Sequence, residues 1–197
     1  MKSLKEIRGL LQLGGSGGIA KRYMVMNSFD GSLTALGIII GSWLADVSDP
    51  RTLILAGLGA SIAMGISGGF GAYLTESAVK KEELEEMESA MLENLDNTIR
   101  HQAAEVSSIF VAFVDGLSPF VAASISFLPF IIASFVNWNM NSAYTFSIIL
   151  TLVTLFILGA YLGRISQENL LLNGVRMIIA GGIVGVLVFF LELISSV

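Results

Sequence analysis

Five long apolar runs separated by short polar stretches dominate the hydrophobic pattern of this chain: Tyr23–Ala45, Thr52–Thr75, Val106–Val136, Met140–Gly163 and Met177–Val197. A hydrocarbon core about 30 Å thick takes about 20 apolar residues per helix, and every run meets that length. Barrel strands would instead alternate over about ten residues. The pattern predicts an all-α integral membrane protein with five transmembrane helices, the third of them tilted or broken near Pro119. Before the first run, Met1–Leu13 sets Leu4, Ile7, Leu10 and Leu11 on one stripe with basic residues between, which predicts an amphipathic helix on a membrane surface. This start has neither the apolar core nor the cleavage site of a signal peptide. Between the second and third runs, Glu76–Glu105 lacks proline and glycine and is rich in helix formers. It predicts an extension of the second helix followed by a helix leading into the third. The resulting order is an N-terminal segment (1–22), two spans (23–75), an acidic helical segment (76–105) and three spans (106–197).

Composition agrees with a membrane protein. Hydrophobic residues make up 54% of the 197 and charged ones only 14%, where a soluble domain carries about a quarter charged. There is no cysteine, which excludes disulfide scaffolds, thiolate metal sites and thiol enzymes. The net charge of −5 comes without a basic block, so no nucleic-acid partner is expected. Basic residues are strongly one-sided. Lys2, Lys5, Arg8, Lys21, Arg22, Lys80, Lys81, Arg100, Arg164 and Arg176 fall on the N-terminal side of the bilayer, and Arg51 alone falls on the other. The positive-inside rule then predicts a cytoplasmic N-terminus and an external C-terminus.

Two landmarks recur at similar offsets. Asp30-Gly31 in the first span matches Asp115-Gly116 in the third, 85 residues on; Gly71-Ala72-Tyr73-Leu74 matches Gly159-Ala160-Tyr161-Leu162, 88 residues on. A parallel duplication of two-helix units accounts for both; the narrow residue repertoire of membrane helices also generates short matches by chance.

A carboxylate inside a membrane helix costs about 3 kcal/mol on insertion scales and marks function by default. Asp30 shares a small or polar stripe with Asn27, Thr34, Gly37 and Gly41, and Asp115 shares one with Ser108, Ala112, Ser118, Pro119, Ala122 and Ser126. Two such stripes offer oxygen ligands to a cation; hydration near the interface is the alternative use. In the acidic segment, Glu82, Glu85, Glu86, Glu88, Glu93 and Asp96 form pairs one helical turn apart. Such pairs can share a divalent cation, although acidic runs also serve as solvated helix faces. The Met64 thioether suits a soft transition metal or plain packing. Gly37/Gly41, Gly65/Gly69 and Gly181/Gly185 predict close helix contacts, within the chain or across a dimer. No phosphate-binding loop, hydrolase elbow or zinc-protease motif is present, so no enzymatic activity is expected.

With Asp30-Gly31 in the first span, Gly-x-Tyr near the end of the second, an acidic segment before the third and five spans, the sequence resembles the vacuolar iron transporter family. That resemblance implies export of Fe²⁺ or Mn²⁺ from the cytoplasm by proton antiport, in a homodimer with the pore between protomers. It implies that Asp30 lies on the metal pathway and that Glu82, Glu85, Glu86 and Glu93 are nearest to the family's cytoplasmic metal-binding glutamates. The family's Ser-Met-Ala-x-Gly-Glu-Tyr motif reads Ser67-Gly68-Gly69-Phe70-Gly71-Ala72-Tyr73 here, so its methionine and glutamate are absent. Met64 and Glu76, each one turn away, are the candidate replacements. The expected ligand set is therefore Asp30, Asp115, Met64, Glu76, Glu82, Glu85, Glu86 and Glu93, in a prokaryotic-type plasma membrane. Lipid, protons and a second copy of the chain are its partners, and no cofactor beyond the transported cation is expected. A non-transporting scaffold or metal sensor built on the acidic helix is the alternative.

Overall fold

The computed structural model describes residues 4–96, 98–136 and 138–195, and every element among them is an α-helix. These are α1 (Leu4–Leu13), α2 (Ser16–Leu44), α3 (Pro50–Met91), α4 (Ile99–Phe135), α5 (Met140–Ile165) and α6 (Leu170–Ser195). Helices α2 to α6 are each long and apolar enough to cross a membrane, as the five runs predict. Met1, Lys2 and Val197 lie outside the described residues.

Local chemistry sets the helix ends. Gly15 takes a left-handed φ of 66° and separates α1 from α2. At the start of α3, Asp49 accepts the Arg51 and Thr52 amides at 3.2 Å each and the Thr52 hydroxyl at 2.8 Å, with Pro50 in the first helical position. These donors hold the Asp49 carboxyl below its usual range. Helix α3 extends through the acidic segment and ends at Leu92, whose φ is 53°. Beyond it, the Glu88 carboxylate accepts the Leu95 amide at 2.7 Å.

The structure refines the sequence pattern at two places, excluding a break at Pro119 and moving the start of α6. Helix α4 is unbroken at Pro119 and Pro129, since each proline removes a single amide donor from a long apolar helix. Helix α6 starts at Leu170 rather than Met177 because Arg176 is a helical residue. Its guanidinium donates to Asn173 Oδ1 at 3.2 Å and lies 3.6 Å from Glu168, while Asn169 accepts the Leu171 amide at 3.0 Å.

The chain divides into two compact units that follow neither span nor segment boundaries: 1–24 with 66–117, and 25–65 with 118–197. In the first, Leu10 of the α1 stripe is buried, and Gly14 sits so close to Ala103 and Ser107 of α4 that no β-carbon fits there. Leu10 of the stripe thus packs against protein. Gly69 of α3 meets the backbone of Ala112 and Gly116 in the same unit.

The second unit has an aromatic core. Ile39, Leu53, Phe127, Phe130 and Tyr144 pack together, Phe130 edge-on to Tyr144 at 5.0 Å between centroids. The Tyr144 hydroxyl donates to the Val47 carbonyl at 2.8 Å and secures the α2–α3 turn. Gly37 and Gly41 of α2 face Val184 and Val188 of α6, where an added β-carbon would stand 3.6 Å from a valine methyl, and Gly185 of α6 faces Ile40. These glycine pairs therefore serve a contact within the chain. Gly31 lies against the Pro119 backbone, where a β-carbon would stand 2.5 Å from the carbonyl oxygen, and the Ser28 hydroxyl donates to the neighbouring Ser118 carbonyl at 3.4 Å.

Two predictions follow from these contacts. Gly31→Ala must displace backbone and is expected to destabilise by about 1–3 kcal/mol, whereas Gly37→Ala meets only a valine methyl and stays within about 1 kcal/mol of wild type. Reversible unfolding of the detergent-solubilised protein ranks the two. The Asp49 cap is complete above the ordinary aspartate pKa near 3.9 and is lost as pH falls through the lowered folded value. Asp49→Asn keeps an acceptor without the titration, so its thermal midpoint should fall less than that of wild type between pH 6 and pH 3.

Candidate functional site

Gly69, Ala72 and Glu76 occupy one face of α3, spaced three and four residues apart. Ala72 and Glu76 are 4% and 7% exposed. The face of α3 that carries Ala72 is thus an interior face, with Glu76 one turn later on it. Tyr23, at the start of the apolar part of α2, lies within electrostatic reach of Glu76. Asp115 of α4, 2% exposed, lies within electrostatic reach of the same phenol. Three helices of the first unit therefore place Tyr23, Glu76 and Asp115 around one buried polar region. Burying two carboxylates is costly unless hydrogen bonds or cations compensate.

The remaining glutamates of the expected set stand apart from this region. Glu82, Glu85 and Glu86 are exposed on one face of α3 with Ser89 and Ala90, and Glu93 is exposed beyond its end. Lys81 pairs with Glu85 at 3.6 Å and Lys80 with Glu83 at 2.8 Å, so lysines already neutralise part of the acidic surface. An open cavity of about 370 Å³ lies between this part of α3 and the start of α4, lined by Lys80, Lys81, Glu85, Glu88, His101 and Glu105 among others. Among the described residues, no three His, Asp or Glu side chains converge to hold a metal ion. The acidic segment offers carboxylates one or two at a time within a single protomer.

Asp30 and Met64 belong to the second unit. Asp30 is exposed, as is Met26 one turn before it at 55%, while Gly31 and Ser32 on the far side are buried. Met64 is half-buried, between the buried Ser61 and Gly65. The two Asp-Gly motifs are thus in opposite environments, Asp30 at the protomer surface and Asp115 in its interior. Tyr23 is the residue that the sequence does not single out. A tyrosine at the start of a span is an ordinary interfacial anchor, and the carboxylates within its electrostatic reach are on other helices.

A profile of the VIT family matches residues 21–113 and 93–191, together most of the chain. An uncharacterised protein of Methanocaldococcus jannaschii is 32% identical over 194 residues, covering 97% of this chain and 96% of that protein. No solved structure matches. With five apolar helices, a family profile along nearly its whole length and a full-length prokaryotic relative, the chain belongs to the VIT family of membrane-embedded metal-ion transporters.

Proposed function

We propose that this protein exports Fe²⁺ or Mn²⁺ from the cytoplasm in exchange for protons, as a homodimer in a prokaryotic plasma membrane with its N-terminus inside. The observation that carries this reading is the exposure of Asp30. Asp30 lies eight residues beyond Arg22, about 12 Å along the helix at about 1.5 Å per residue. A carboxylate on the lipid-facing surface at such a depth is strongly disfavoured. A second protomer or a water-filled route that covers it removes this cost, and either places the carboxylate where a cation can pass.

The other carboxylates fit successive tasks in that route. Glu82, Glu85, Glu86 and Glu93, all exposed, would raise the local concentration of a divalent cation at the cytoplasmic mouth. Glu76 and Asp115, both buried, would replace part of its hydration shell, and Met64, in the other unit, would act separately as a soft donor. Proton exchange follows from the ligand chemistry, because a carboxylate that releases a metal ion becomes free to take a proton. The orientation is supported by the ten basic residues on the N-terminal side against Arg51 on the other.

Asp30→Asn tests the reading in proteoliposomes. The variant should fold and elute as wild type, yet lose saturable, pH-gradient-stimulated Mn²⁺ uptake at least tenfold, in line with the default role of intramembrane carboxylates. Unchanged flux with unchanged pH dependence would contradict the assignment. Absence of flux for any divalent cation in folded wild-type protein would favour the scaffold or sensor.

A further inference from the structure

Residues 1–24 hold five of the chain's eleven lysines and arginines and one of its sixteen acidic residues, Glu6. Positive charge is thus concentrated there, in a chain whose net charge is −5. In α1, Lys5, Arg8 and Gln12 share one helical face and are exposed, while Leu10 on the opposite side is buried. The helix therefore turns its basic side away from the protein. Two anchors set the depth of this side. Gly14 meets Ala103 and Ser107 of α4, where the apolar run opens at Val106. Lys21 and Arg22, exposed on α2, immediately precede the apolar run that starts at Tyr23. Beside the end of α1, a cavity of about 70 Å³ is lined by Leu13, Lys80, Glu83, Met87 and Arg100 among others. Lys80 is paired with Glu83 at 2.8 Å. The exposed Arg100 instead donates to the Met87 sulfur at 3.6 Å, a weak acceptor. Arg100 stands six residues before Val106, about 9 Å along the helix.

We propose that the exposed basic face of α1, with Lys21, Arg22 and Arg100, is a docking surface for the headgroups of anionic phospholipids. Charge complementarity and depth select this occupant. The two anchors hold the face at the level where headgroups lie, and a Lys or Arg near an anionic membrane surface gains roughly fivefold in affinity. Leu13, 62% exposed at the end of α1 nearest the apolar runs, adds an apolar contact at the acyl boundary. A zwitterionic headgroup offers the same phosphate without net charge and gains far less. The surface stands on the placement of these residues and not on metal transport. Because Gly14 abuts α4, bound lipid holds α1 against the helix that carries the buried Asp115.

The experiment places a fluorophore on the full chain at Gln12→Cys, an exposed position in a chain without cysteine. The labelled protein is reconstituted in phosphatidylcholine vesicles that contain headgroup-spin-labelled phosphatidylglycerol or phosphatidylcholine as the quencher. The anionic probe should half-quench at a concentration at least fivefold lower than the zwitterionic one, in line with the gain from basic residues at an anionic surface. Molar salt, with a screening length of about 3 Å, should close most of that gap. Lys5→Gln/Arg8→Gln should also close most of it, while Arg164→Gln, at an exposed arginine of the other unit, should leave it intact. A second measurement needs no cysteine. Short-chain phosphatidylglycerol should raise the thermal midpoint of the detergent-solubilised wild type more than phosphatidylcholine does, and adding Lys21→Gln/Arg22→Gln to the α1 pair should abolish the difference. Equal quenching by the two probes, a gap insensitive to salt, or a gap and a stabilisation that survive the fourfold variant would each overturn the proposal. Stronger stabilisation by double-stranded DNA than by phosphatidylglycerol would assign the surface to a soluble polyanion and overturn it as well.

Discussion

The cost of ionised carboxylates in an apolar chain shapes this protein more than any other interaction. Its apolar helices leave few polar groups to meet Asp30, Glu76 and Asp115. The structure treats the three differently. Glu76 is buried, with the Tyr23 phenol within electrostatic reach. Asp115 is buried beside serine-rich turns of α4, with Ser107, Ser108 and Ser118 also buried. Asp30 is exposed, and in a bilayer it requires cover from outside its own protomer or from water. Our functional proposal starts from that requirement and assigns Asp30 to the cation route.

Glycine makes these placements possible by letting helix backbones approach. Gly31 brings α2 onto the Pro119 backbone, and Gly69 brings α3 onto Ala112 and Gly116. The Gly37/Gly41 and Gly185 positions, which in a membrane protein equally suit a dimer seam, pack against Val184, Val188 and Ile40 of the same chain. Self-association, on our proposal, uses the face of α2 that carries Met26 and Asp30, both exposed. Dispersion forces and polar contacts at close range drive such packing, because lipid tails remove the hydrophobic incentive.

The sequence pattern makes the architecture legible because apolar length has one cheap solution in a bilayer. All five spans, the extension of α3 through the acidic segment and the separate α1 are visible in it. The beginning of α6 is not, because Arg176 looks like a boundary charge until Glu168 and Asn173 are seen to engage it. Pro119 allows a tilt or a break, and α4 runs through it with the loss of one amide donor. The site was legible only in part. Local motifs mark Asp30 and Asp115 as alike, whereas their surroundings, set by long-range packing, are opposite. Glu76 is buried within reach of a tyrosine on another helix, a proximity that no local spacing encodes. Glu82, Glu85 and Glu86 share a face as their spacing implies, but that face is open to solvent.

The most direct test of this account asks what covers Asp30 in the membrane. The chain has no cysteine, so Met26→Cys, one turn from Asp30 and 55% exposed, introduces a single reactive thiol. In native membranes, a short bis-maleimide should convert this variant to a covalent dimer, and the yield should not fall when expression is diluted. A folded, membrane-inserted protein that stays monomeric under the reagent would show that no second copy covers this face and would contradict the dimeric pathway.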